Sequence, residues 1–140
     1  MLVDADPGAT WKASLRVAEG WLGSAGGTAR LLGCTDTGPS GPRPLATGSA
    51  LPGFHVEAAE PGRILALAGK HRFSDYALVL HFEGEDGGPT TVRAETRATF
   101  PGTKGNVYRA VVIGTRGHVL VTRRLLGRIK RRAERRPAAA

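Results

Sequence analysis

Tyr108 and His118 fall, with Thr115 and Thr122, on the apolar face of a predicted C-terminal helix. A phenol and an imidazole placed there can orient a ligand or move a proton. Each also has a plain structural role, as a core tyrosine bonded to backbone or a satisfied histidine. Other chemistries lack their residue patterns. His55, His71, His81 and His118 share no metal-ligand spacing, and the HxE of His81 and Glu83 is too little for a site, so no metal and no cofactor are expected. Cys34 has no base beside it in sequence, and no GxSxG occurs. The GSAGG at 23–27 lacks the lysine and the preceding strand of a phosphate-binding loop. Glu57, Glu83 and Glu95 alternate away from the apolar side of their strands. Without an inward carboxylate pair, the pattern argues against a dedicated hydrolase.

The helix that would carry Tyr108 and His118 is expected from Lys104 to Arg136, a stretch without proline. Tyr108, Val111, Val112, Val119, Leu125, Leu126 and Ile129 recur with the three-four spacing of an amphipathic helix. Its end is strongly basic. From Arg123 onward the chain holds eight Lys and Arg against Glu134 alone, whereas residues 1–122 hold 12 against 11 acids, in a chain of net charge +8. Cations at a helix C-terminus complement the macrodipole by about 0.3–1 kcal/mol each. The run therefore reads as a solvated helix end, removable as residues 130–140 with the fold intact. The alternative is that it binds nucleic acid or an anionic membrane surface. Its confinement to one terminus, not a stripe across the body, argues against nucleic acid.

A chain of 140 residues, 41% hydrophobic and 23% charged, suits one globular domain. With one cysteine there is no internal disulfide, and no apolar run approaches the length of a membrane span. The expected setting is cytoplasmic. Met1–Val3 reads as a strand remnant. Asp6 and Pro7 form a helix start, with the helix reaching Ala18 or a little beyond and Ala9, Trp11, Leu15 and Val17 as its candidate buried positions. Trp21 and Leu22 suit a second short helix. Residues 33–53 read as loop, with one short strand around Arg43 to Thr47.

The middle of the chain alternates. Phe54, Val56 and Ala58 mark one face of a strand, and Glu60-Pro61-Gly62 a type II turn into a return strand from Arg63 to Ala68. Tyr76, Leu78, Leu80 and Phe82 alternate in the next strand, and Val92, Ala94, Thr96, Ala98 and Phe100 in the longest one, across a loop at 85–89. Short connections make these four strands an antiparallel meander. The fold class is α+β, a curved antiparallel sheet wrapped around a long C-terminal helix, which is the only element large enough to cover it.

Three segments carry a family resemblance: VDADPGATWKA at 3–13, LPGFHVEAAEPGR at 51–63, and GNVYRAVVIGTRGHVLVTRRLLGRI at 105–129. In that order they resemble the SRPBCC superfamily, the START-like helix-grip proteins that include bacterial polyketide cyclase/dehydrase-like members. The resemblance implies a single START-like domain over 1–136, with 137–140 expected as a disordered tail. Only Met1–Val3 stand where the family has a longer first strand, so either the start lies late or this member has a shortened first strand. The resemblance also implies a cavity between sheet and helix that holds a hydrophobic small molecule, such as a lipid, a polyketide or an aromatic compound. The expected ligand-binding residues are Trp11, Tyr76, Leu78, Leu80, Phe82, Thr96, Tyr108, Val112, Thr115 and His118. The alternative within the family is a cyclase or dehydratase using Tyr108 or His118 for acid–base help. A shortened first strand leaves a sheet edge open, which is a route to a homodimer.

Overall fold

A computed structural model describes residues 1–21, 33–34, 38, 40–70, 75–99 and 117–135, with backbone alone at 21, 99 and 117–120. The first helix begins as its residue types dictate. Asp6 Oδ1 accepts from Ala9 N at 2.7 Å and the Asp6 carbonyl from Thr10 N at 2.9 Å. Pro7 takes the first helical position, where a missing N–H costs nothing. This helix, α1, runs Pro7–Trp21, a little beyond Ala18 as expected. Gly20 lowers helix propensity by about 1 kcal/mol without stopping it.

Before α1, β1 (Leu2–Val3) pairs antiparallel with Thr91 and Thr90, and Met1 exchanges backbone hydrogen bonds with Val92. After it come β2 (Ala50–Leu51), β3 (Phe54–Glu60), β4 (Ile64–Lys70), β5 (Asp75–Gly84) and β6 (Thr90–Thr99). The expected meander is β3 to β6. β2 and β1 extend it on opposite edges, giving one open, curved antiparallel sheet in the order β1-β6-β5-β4-β3-β2. At Glu60-Pro61-Gly62 the expected turn is present: Gly62 has φ 73° and Arg63 N donates to Glu60 O at 3.0 Å.

Two strand expectations need correction. No strand forms at 43–47; the short strand is Ala50–Leu51, turned onto β3 by Pro52 and by Gly53 at φ 84°. Arg43 explains the difference. Its guanidinium donates to the carbonyls of Ser40, Pro42 and Ala50 at 2.9–3.0 Å and so gathers the loop around itself. Leu45 then enters the core as a loop residue, 3% exposed. In β3, Glu57 is an extra residue between Val56, opposite Leu67, and Ala58, opposite Ala66. This bulge reverses the alternation, so Ala59, not Ala58, packs against the core.

The C-terminal helix is described as α2, Gly117–Ala133; the expected part from Lys104 to Arg116 lies outside the described residues. It is not the sheet's sole cover. Trp11, Leu15 and Ala18 of α1 join Leu125 and Ile129 of α2 in one core with Val56, Leu65, Leu67, Leu80, Phe82 and Val92. Trp11 meets Phe82 edge-on, ring centroids 5.4 Å apart. Small buried residues on α1, Ala13, Ser14 and Ala18, let α2 lie close against it. Among the described residues the buried hydroxyls are all satisfied: Ser14 donates to Thr10 O at 2.8 Å, Ser49 to Pro42 O at 2.7 Å, and Thr10 and Thr90 both donate to Ala5 O.

The end of α2 also differs from a freely removable tail. Lys130 Nζ donates to Leu2 O at 2.8 Å, and Glu134 Oε1 accepts from Asp4 N at 2.9 Å and from Lys130 at 2.6 Å. Deleting residues 130–140 therefore strips the clamp that holds β1 and the start of α1. No helix among the described residues is long and apolar enough to cross a membrane.

Candidate functional site

The inward face of the sheet can be read row by row from the β4–β5–β6 registers. Phe82 lies opposite Val92; Leu65, Leu80 and Ala94 form the next row; Leu67, Leu78 and Thr96 the next; Gly69, Tyr76 and Ala98 the last. Burial changes along those rows. Phe82, Val92, Leu65, Leu80 and Leu67 are 5% exposed or less, whereas Thr96 and Ala98 are exposed. The face thus divides into a filled end under Trp11, Leu125 and Ile129 and an open end around Tyr76.

Of the expected ligand-binding residues, the structure brings Trp11, Leu78, Leu80 and Phe82 together as packed core. Tyr76 and Thr96 share their face at its open end. Tyr108, Val112 and Thr115 lie outside the described residues, and of His118 the helical backbone alone is described. The expected Tyr108–His118 pairing therefore also lies outside them.

Tyr76 is the best positioned polar group at the open end. Its hydroxyl donates to Gly53 O, its ring meets Phe54 edge-on at 5.2 Å, and Cys34 Sγ lies 3.7 Å from the hydroxyl. The ring crosses Gly69, where no Cβ stands in the way. An apolar ring with one anchored oxygen is what an oriented hydrophobic ligand needs. Sequence alternation placed Tyr76 on the right face; the two glycines that seat it carried no signal of their own.

On the outer face, His81 Nε2 lies 3.3 Å from Glu95 Oε2, and Arg97 holds the other Glu95 oxygen at 2.7 Å. The Arg97 hydrogen bond, then that of His81, keeps the Glu95 carboxyl below its ordinary range. Glu134 is lowered as well, first by the Asp4 N–H and then by Lys130. These are exposed contacts of modest weight. Among the described residues no group of three or more His, Cys, Asp and Glu could hold a metal ion.

A second concave feature lies away from the sheet, between α1 and α2. It is a cleft of about 470 Å³ walled by Arg16 on one helix and Arg128, Arg131, Arg132 and Arg135 at the end of the other. The terminal arginines were legible as a basic run; Arg16, far away in sequence, was not.

No protein-family model, curated protein or solved structure matches this chain. The resemblance to the SRPBCC superfamily rests on the three segments quoted above.

Proposed function

We propose that the chain binds a hydrophobic small molecule, of lipid, polyketide or aromatic type, between the curved sheet and the C-terminal helix in the manner of a helix-grip protein. The observation that carries this reading is the division of the inward face. At its filled end, large side chains from two helices occupy the space. At its open end the strands present Thr96 and Ala98, small residues beside the anchored ring of Tyr76, which itself fills the space over Gly69. A ligand enters where side-chain volume is missing, against the apolar ring of Tyr76. The connectivity supports the same reading, with a helix between the two edge strands and another after the last strand. Trp11, Leu78, Leu80 and Phe82 then serve as the floor of the site and not as its mobile lining.

Nile red, a neutral apolar dye, tests this directly. The parent chain should bind it at about one per molecule and melt at higher temperature in its presence, by mass action. Replacing Ala98 by Trp fills the open end from an exposed position and should abolish the binding with the fold retained. Absence of any melting shift across Nile red and a panel of fatty acids and aromatic polyketides would sink the proposal.

A further inference from the structure

The cleft between α1 and α2 concentrates positive charge in a way that helix capping does not explain. The macrodipole accounts for basic residues in the last turn of α2, which holds Lys130, Arg131 and Arg132. It offers no reason for Arg128 farther back, nor for Arg16 within α1 on the opposite wall. Packing gives no reason either, because all five arginines that wall the cleft are exposed.

Nor is most of this charge neutralised locally. Among the described residues, Arg16, Arg131, Arg132 and Arg135 make no ion pair. The two nearest acids in sequence have their ion-pair partners outside the cleft. Glu134 takes Lys130 and the Asp4 N–H, and Glu19, on α1, faces Arg43 Nε at 3.9 Å through an Oε1 that is buried and makes no hydrogen bond among the described residues. Like charges gathered on two facing helices repel one another, and an anion between them removes that repulsion.

We propose that this cleft binds a compact polyphosphate group, two or more phosphates carried close together, either free in solution or on a lipid headgroup. Guanidinium forks match phosphate oxygens two at a time, and the four of Arg16, Arg131, Arg132 and Arg135 exceed what a single phosphate can use. The volume is that of a small-molecule site, within the usual range of about 300–1,000 Å³. Arg128, Arg131, Arg132 and Arg135 recur at helical spacing and so form one wall, with Arg16 as the other. Gly20 keeps the α1 side open, since a Cβ there would touch nothing within 4 Å. A nucleic-acid strand is disfavoured by the same geometry. The arginines converge on one open cleft instead of forming a track, and no aromatic ring for base stacking lines it among the described residues.

The experiment is titration calorimetry of the full chain at low salt with inorganic tripolyphosphate. In parallel, the chain is sedimented with phosphatidylcholine vesicles that do or do not contain phosphatidylinositol bisphosphate. Arg16→Gln is the decisive variant because it lies outside the basic run, and Arg123→Gln, exposed and outside the cleft, is its control. Losing one charged hydrogen-bonding arginine should weaken binding by about tenfold. Arg16→Gln should show that loss, Arg123→Gln should stay near the parent, and unchanged melting curves should show both folded. Tripolyphosphate binding without vesicle capture supports a free ligand. Capture by the phosphoinositide vesicles, lost in Arg16→Gln, supports a headgroup. The proposal is overturned if neither probe binds the parent chain, or if Arg16→Gln and Arg123→Gln weaken binding equally. It is overturned too if single-stranded DNA binds more tightly with each added length. None of these results depends on Nile red binding at the sheet.

Discussion

Gly69 on β4 and Tyr76 on β5 are cross-strand partners, and the tyrosine ring occupies the space that a side chain at 69 would need. A Cβ at 69 would stand 2.5 Å from Tyr76 Cε2 and 2.6 Å from its Cζ, and closer still to Gly53 O. Real Cβ atoms do not approach so closely, so the ring, the Pro52-Gly53 turn and the bare strand position form one unit.

Gly69→Ala is therefore expected to destabilise the protein by overpacking, by about 1–3 kcal/mol. Tyr76→Phe should cost less, about 0.5–1.5 kcal/mol, because it removes the hydroxyl bond to Gly53 and leaves the ring in place. Urea unfolding of the two variants checks the order. A Gly69→Ala protein as stable as the parent would mean that the ring moves aside at no cost, and that the open end is softer than its geometry implies.

The filled end should behave differently. Trp11→Ala and Phe82→Ala each open a cavity beneath α1 and should each cost about 3–5 kcal/mol. Because the rings touch edge-on, the double variant should lose less than the sum, with a coupling of about 0.5–1.5 kcal/mol. A coupling of zero in a double-mutant cycle would show that the two rings contribute burial alone.

Asp6 is predicted to matter in proportion to its cap. Replacing it by Ala removes the acceptor for Ala9 N at the start of α1 and should cost about 1 kcal/mol. Asp6→Asn, which keeps an oxygen acceptor, should recover most of that loss in the same denaturant titration.

These contrasts show which features the sequence made legible. Alternation is a local property, so the faces of β5 and β6 follow from Tyr76, Leu78, Leu80 and Phe82 and from Val92, Ala94, Thr96 and Ala98. The Asp6-Pro7 helix start and the Pro61-Gly62 turn are local as well. What was not legible depends on residues far apart. Glu57 shifts the phase of β3 only because Val56 and Ala58 pair with consecutive residues of β4. Arg43 abolishes a strand by reaching carbonyls on both sides of its loop. Trp11 became a sheet cover, and Arg16 a cleft wall, through the packing of α1 against α2, which no spacing within either helix encodes.

The contact between the two ends of the chain makes a pH prediction with a definite sign. The Asp4 N–H and Lys130 hold the Glu134 carboxyl below its ordinary value of 4.5, and Arg97 with His81 does the same for Glu95. A carboxyl whose folded value is depressed binds more protons unfolded, so its stabilisation is complete above about pH 4.5–5 and is lost as pH falls through the lowered value. The melting temperature should thus be flat from neutrality to about pH 5 and decline below it. Glu134→Gln keeps an acceptor for Asp4 N but removes the titrating charge, so its acid decline should be shallower than the parent's. Both carboxylates are partly open to solvent, which keeps the effect modest and makes it shrink with added salt. Thermal melts across the acid range at low and high salt check it. An Glu134→Gln protein with the parent's full acid slope would show that Lys130 and Asp4 hold Glu134 by geometry alone, and that the acid sensitivity arises elsewhere in the chain.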